Sequence, residues 1–305
     1  MLQSILLRFL PRASIFLPGR PKNCSLPRPM ELFQRQKHLL VAFSIAVLPY
    51  GCQTLNNSSS GHDMAETATV IDVARAFLDD GRPDKALFEL RSVIDQNPKN
   101  PMIHSITGLS QLALKNPRKA VQSLEMAWKL DPIAQHALNL SSAYIETKQY
   151  DRAQKMILTG IAVKETPPYK NKERFYHNLG VIAELKGSRN AAEKAYLRAL
   201  EENPVFYISR VKVASMMEEK HKLEAAKMHW ELARTSCSGC FEPVAHLAVY
   251  YHNKGDSAKA VKLIEDYSRI EGLNPAESKK AASLKTVLAN SPSKLAELPN
   301  NDSTH

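Results

Sequence analysis

The sequence is poor in the residues that build loops around small ligands. Glycine occurs only 11 times in 305 residues. That scarcity argues against Gly-rich phosphate loops and against many-turned β folds. The chain contains no P-loop, no dinucleotide-binding fingerprint and no HExxH. Its ten histidines are scattered. Ser209-Arg-Val-Lys212 has the SxxK spacing but no supporting motif, and reads as coincidence. Long apolar runs are also missing. The stretch Leu39–Leu48 is ten residues long, half of the roughly 20 that a membrane-spanning helix needs. An excess of acid is absent too: 41 Lys/Arg stand against 31 Asp/Glu, a net charge of +10. Seven of those bases and only one acid fall in residues 1–51, so the remainder carries 34 bases and 30 acids, a net +4. Such a mixed surface is no argument for nucleic acid, and protein partners suit it as well as polyanions do.

Cysteine is rare as well: Cys24, Cys52, Cys237 and Cys240. Two lie in or beside the N-terminal leader. There Arg35 and Lys37 precede the ten-residue apolar run, and Gly51-Cys52 follows it. A charged start, a short apolar core and a small residue before the break make an export signal. The spacing fits a start at Met30, which makes residues 1–29 an upstream over-extension and residues 30–51 the signal peptide. Leu48-Pro49-Tyr50-Gly51-Cys52 resembles a bacterial lipobox, with Leu48 one place further back than usual. The resemblance implies lipidation of Cys52. Cleavage near Ala46, giving a soluble periplasmic protein, is the alternative. Gln53 after the cysteine points to the outer membrane rather than to inner-membrane retention. Residues 52–66 read as a flexible tether.

From residue 67 the chain repeats with a period near 34 residues. The first unit, 67–100, has Val73, Ala74, Phe77, Gly81, Ala86, Leu90, Val93 and Pro98. The fourth, 173–206, has Tyr176, Leu179, Gly180, Ala183, Gly187, Ala192, Tyr196, Ala199 and Pro204. Units at 101–134, 134–168, 207–240 and 241–274 share the register. Small residues at positions 8 and 20 let two helices approach, larger ones at 4, 7, 11 and 24 fill the seam, and proline near 32 ends the second helix. This is the tetratricopeptide (TPR) pattern. The expected fold is all-α: a right-handed superhelical solenoid of six TPR helix pairs. Residues 275–289, with Asn274-Pro275 as cap and first turn and Ala281, Leu284, Val287 and Leu288 at helical spacing, read as a capping helix. Residues 290–305 read as a disordered tail.

Stacked TPR pairs present the first helices of each pair to a concave groove, through positions 2, 5, 9 and 12. These positions hold Ile71, Arg75 and Leu78; Ser105, Leu109 and Leu112; Leu138, Ser142 and Ile145; Arg174, His177, Val181 and Glu184; and Val249 and His252. The early groove is the more apolar. Ile71, Leu78, Leu109, Leu112 and Ile145 are therefore the candidate partner-binding residues, suited to an amphipathic helix or an extended segment with spaced anchors. Packing between repeats is the competing reading for each. Cys237 and Cys240 fall in the turn between units five and six. A redox pair or half a zinc site is conceivable chemically. However, the chain has no second CxxC, and His229 and His246 offer no ligand pattern. A structural disulfide is the favoured reading. No metal, cofactor or catalytic residue is expected.

An exported chain with a lipobox-like cysteine, six TPR units and little else resembles the type IV pilus pilotins, the PilF/PilW/Tgl-like family of TPR outer-membrane lipoproteins. Thr166-Pro167-Pro168-Tyr169, followed by Phe175-Tyr176-His177-Asn178-Leu179-Gly180, is similar to that family's longer join before an Asn-x-Gly helix. Unit three departs from it, with Leu138-Asn139-Leu140-Ser141-Ser142 where the family often has Asn-Asn-Tyr-Gly. The resemblance implies a non-enzymatic protein held in the outer membrane by its lipid, on the periplasmic face. Its groove would bind secretin subunits and assist their assembly, with no small-molecule substrate. A TPR scaffold for another envelope machine, such as outer-membrane protein assembly or peptidoglycan synthesis, is the rival, and a redox protein using the CxxC is a further one.

Overall fold

The computed structural model describes residues 59–291. The leader, Cys52 and the tail from 292 lie outside them. Thirteen helices follow one another with no strand among the described residues: α1 Ser59–Asp79, α2 Pro83–Ile94, α3 Pro101–Ala113, α4 Pro117–Leu130, α5 Ala134–Glu146, α6 Tyr150–Ala162, α7 Glu173–Leu185, α8 Arg189–Glu202, α9 Tyr207–Glu219, α10 Leu223–Ser236, α11 Phe241–Asn253, α12 Ser257–Ser268 and α13 Pro275–Ala289. They form six antiparallel pairs and a closing helix, an all-α superhelical repeat fold. No described helix is long and apolar enough to cross a membrane.

Local chemistry explains where the helices start. Proline opens α3 and α13, and the preceding Asn100 and Asn274 accept hydrogen bonds from the first free backbone N–H groups. Helix α1 starts at Ser59, so eight residues read from the sequence as tether are helical. No proline or glycine-capped break separates them from the repeat, and Thr67 is pinned by Asn97 Nδ2 at 3.2 Å. Inside each pair the chain reverses through one left-handed residue at position 15 of the unit: Gly81, Lys115, Lys148, Gly187, His221 and Gly255, with φ between 57° and 84°. Glycine occupies half of those positions because it adopts that conformation without a Cβ clash.

The repeat positions set the core. Position 20 is alanine in all six units (Ala86, Ala120, Ala153, Ala192, Ala226, Ala260), and all six are buried. Position 24 holds Leu90, Leu124, Ile157, Tyr196, Trp230 and Ile264, each no more than 1% exposed. The large residue at 24 lies over the small residue at 8. At Gly108 an added Cβ would lie 2.5 Å from Leu124, and at Gly180 2.4 Å from the Tyr196 ring. One apolar cluster runs from Leu112 to Met216, a second from Val211 to the capping residues Ala281, Leu284 and Leu288. A third holds unit one to α3. Burial of α13 against α11 and α12 covers the apolar end that a solenoid would otherwise leave open.

The ten-residue join between α6 and α7 is tied down at two points. Phe175 lies against the backbone of Gly160, where a Cβ would be 2.6 Å from its ring. Tyr169 meets Phe175 edge-on at 5.8 Å and donates from its hydroxyl to Gln135 Oε1 at 3.1 Å.

Candidate partner-binding groove

Successive first helices touch one another along the inner face, as α1 with α3, α3 with α5 and α5 with α7. That contact decides the fate of the candidate groove residues. Ile71, Leu112 and Ile145 are only 7%, 3% and 2% exposed and belong to the core. Leu78 and Leu109 are partly buried and packed against the same clusters. The apolar early groove is therefore narrower than the sequence suggests: neighbouring first helices cover Ile71, Leu112 and Ile145, while Leu78 and Leu109 keep partial exposure. Leu138, Ser142, His177, Val181, Val249 and His252 are buried as well, whereas Arg75 is exposed and Arg174 and Glu184 are partly exposed.

A polar ladder runs along this face instead. In units two to four its rungs are short amide, hydroxyl and imidazole contacts. Asn139 Nδ2 donates to Ser105 Oγ at 3.2 Å, and Gln135 Nε2 donates to Asn139 Oδ1 at 2.8 Å. Asn178 Nδ2 donates to Ser142 Oγ at 3.2 Å, and His177 Nδ1 lies 2.9 Å from Ser209 Oγ. Ser209 is thus a rung partner, and Lys212 of the same SxxK is an ion-pair partner.

In units four and five the rungs are built on an acid and repeat one design. Glu184, at position 12, accepts from the Tyr196 hydroxyl at 2.8 Å and from Lys212 Nζ at 2.9 Å. Glu218, 34 residues later, accepts from Trp230 Nε1 at 2.8 Å and lies 2.9 Å from His246 Nδ1. The His246 ring also stacks on Trp230 with centroids 4.0 Å apart. An acid at position 12, an aromatic donor at 24 and a base at position 6 of the next unit thus recur together. Burial and the facing Glu184 push the Tyr196 hydroxyl well above the ordinary tyrosine range, so it remains a donor.

Beside these rungs Glu242, at position 2 of unit six, is partly exposed. Burial raises its carboxyl above the ordinary range, with His246 and Lys212 pulling the other way. The inner face of units four to six therefore offers the partly exposed carboxylates of Glu184, Glu218 and Glu242 and the partly exposed Lys212, with His246 buried behind Glu218. Such an array hydrogen-bonds and ion-pairs with a polypeptide more readily than it buries an apolar helix face. Glu218, Glu242 and Gln135 are not singled out by the sequence, which draws attention to Lys212 and His246 only for other chemistry. The recurrence of Glu184/Tyr196 and Glu218/Trp230 at one repeat period was the available signal.

The sulfurs of Cys237 and Cys240 lie at bonding distance, with Cα atoms 5.4 Å apart, a spacing that suits a disulfide. Cys237 caps the end of α10 and Cys240 precedes α11. Tyr267 donates to Gly239 O in the same turn at 3.1 Å. His229 faces Arg210 Nη1 at 3.4 Å, and burial followed by the Arg210 charge lowers its pKa. Among the described residues, no group of three or more His, Cys, Asp or Glu is placed to hold a metal.

Six such pairs define a TPR solenoid. Residues 173–206, the whole of unit four, match the tetratricopeptide repeat family model. Among solved structures, the chain is similar to one described as a functional characterization of Pseudomonas aeruginosa pilF. That match has 16% identity and a TM-score of 0.57, covering 73% of this chain and 99% of that one. It is similar to PilW, described as a widely conserved type IV pilus biogenesis factor, at 15% identity and a TM-score of 0.56, over 73% and 98% of the two chains. It also resembles a chain of the APC/C hetero-tetramer Cut9–Hcn1, at 13% identity and a TM-score of 0.55, over 72% and 43%. At these identities the likeness is one of fold. No curated protein matches the sequence.

Proposed function

We propose that this chain is a non-enzymatic protein-binding lipoprotein that acts as a pilotin for the type IV pilus secretin. Cys52 carries the lipid that holds it to the outer membrane. The concave face of units four to six receives a segment of the secretin subunit. The observation that carries the binding reading is the recurring carboxylate–base rung of Glu184/Lys212 and Glu218/His246, with Glu242 beside it. The likeness to the pilus factors PilF and PilW over nearly their whole length supports the choice of partner. The work is done by binding and by anchoring, so no reacting group is required.

The test is a pull-down from detergent-solubilised envelope, scored for secretin, together with the secretin multimer in a strain lacking this gene. Secretin should be captured, and its multimer should be lost or mislocalised. Normal multimers in the deletion strain would defeat the reading. A separate test addresses the anchor. Cys52→Ala should leave the circular dichroism unchanged and release the protein from the membrane fraction.

A further inference from the structure

The turns within the six pairs are unequal: three place glycine at the left-handed position, whereas those of units two and three place lysine there. They span residues 79–85, 113–119, 146–152, 185–191, 219–225 and 253–259. Together they hold thirteen bases and eight acids, a net +5, and the rest of residues 59–291 balances at twenty of each. All of the solenoid's described net charge thus lies along one edge. Ion pairs join the consecutive turns of units three to six: Lys186–Asp151, Arg189–Glu219 and Lys254–Glu224.

Units two and three stand apart. Lys115, Arg118, Lys119 and Lys148 are exposed, and none of them makes an ion pair among the described residues. Lys115 and Lys148 hold the left-handed position, at φ 62° and 61°, where three other units use glycine. A lysine there is strained and glycine is not. Arg118 and Lys119 lie in the first turn of α4, which contains no acid. The helix dipole disfavours cations at that end. Three local preferences are broken at one turn with no partner gained inside the molecule. Such places are where function is sought. The nearby acids form no ion pair with these four bases: Asp80 is taken by Arg82 and Asp151 by Lys186, and neither Asp79 and Asp84 of unit one nor Glu146 beside Lys148 pairs with them among the described residues.

We infer that this edge, centred on Lys115, Arg118, Lys119 and Lys148, docks against the anionic headgroup layer of a lipid bilayer. A row of bases exposed on turns and advancing by one repeat matches an extended flat anionic surface. It encloses no small ion. Three shallow cavities among the described residues are lined by other residues, in α12, α6 and the α8–α9 region.

The test uses the full chain in sedimentation with vesicles of phosphatidylcholine alone or of phosphatidylcholine and phosphatidylglycerol at three to one. Wild type should favour the anionic vesicles, and the preference should fade in high salt. In Lys115→Gly/Lys148→Gly the backbone is relieved and two charges go. Partition should fall roughly 25-fold, about fivefold per base, while the thermal midpoint rises. The control Lys155→Ser/Lys194→Ser removes two exposed bases away from the edge and should partition as wild type does. Unchanged partition of the glycine variant would overturn the inference, as would an equal loss in the control. Variant-sensitive retention of a single-stranded oligonucleotide without vesicle binding would replace the bilayer with nucleic acid.

Discussion

Units two and three and units four and five share a backbone and differ in what joins one repeat to the next. In the earlier pair, position 12 is apolar at Leu112 and Ile145, position 24 is Leu124 and Ile157, and the polar links are Ser–Asn contacts. In the later pair, position 12 is Glu184 and Glu218, and position 24 is Tyr196 and Trp230, which donate to those acids. The same seam can therefore be closed by hydrocarbon or by an acid held between an aromatic donor and a base. What differs is what remains at the inner surface. The first solution buries positions 12 and 24 alike, and the second leaves the carboxylates of Glu184 and Glu218 partly exposed. Because a solenoid's repeats interact mainly with their neighbours, each solution can be altered locally.

Exchanging the two should give the largest effect. Ile145→Glu would place a carboxylate at a site 2% exposed, with Ile157 where the later units have Tyr or Trp and Asn178 where they have a base. An unpaired buried charge should cost more than about 3 kcal/mol in chemical denaturation. The reverse exchange, Glu218→Leu, deprives Trp230 Nε1 and His246 Nδ1 of their acceptor, and should cost about 2 kcal/mol. If Ile145→Glu proves the milder of the two, the contrast between the halves is wrong.

How far this was legible in the sequence follows from the same positions. The helix pairs were readable because Ala at 20 and a large residue at 24 recur in every unit, whatever closes the inner seam. The apolar groove was read too wide because position 12 was judged by its own chemistry. Ile145 looks like an anchor for a partner, and only the approach of α7 to α5 makes it core. The charged rungs needed three residues on three helices to be read together. Each of them alone, such as Glu218 or His246, resembles an ordinary surface group.

Next in size is the close approach at position 8. In Gly180→Ala the new Cβ meets the Tyr196 ring, which cannot retreat because its hydroxyl is held by Glu184 at 2.8 Å. The loss should be about 2 kcal/mol despite the helix preference for alanine. Gly108→Ala meets Leu124 Cγ and Cδ2 and, at 3.2 Å, the Ala120 carbonyl oxygen, but no hydrogen bond holds Leu124 in place, so its cost should be about 1 kcal/mol. Thermal or urea unfolding of both variants distinguishes a rung that fixes its aromatic from a seam that yields. Equal losses would mean that the Glu184 bond fixes nothing.

A smaller effect is expected at the neutral rungs. Ser142→Ala removes the acceptor of Asn178 Nδ2, leaving a buried amide donor short of one partner, at about 1 kcal/mol. Amide hydrogen exchange should then rise in α7 and little in α10, since the disturbance is confined to one junction.

The smallest effect concerns pH and separates the halves by sign. Burial raises the Glu242 carboxyl in the folded protein. A carboxyl raised on folding contributes stability below its unfolded pKa, about 4.3, and loses it as pH rises through the folded value. Wild type therefore carries a cost at neutral pH that is absent near pH 4. Glu242→Gln removes the titration, so its thermal midpoint should exceed that of wild type at pH 7 and converge with it near pH 4. Glu125 of the earlier half is 42% exposed and paired with Arg152, so Glu125→Gln should bring no gain in thermal midpoint at pH 7. A Glu242→Gln gain that persists undiminished at pH 4 would mean that the side chain is disfavoured by packing rather than by charge. If the variant gains stability at neutral pH but loses its protein partner, that cost is what keeps a carboxylate available in the groove.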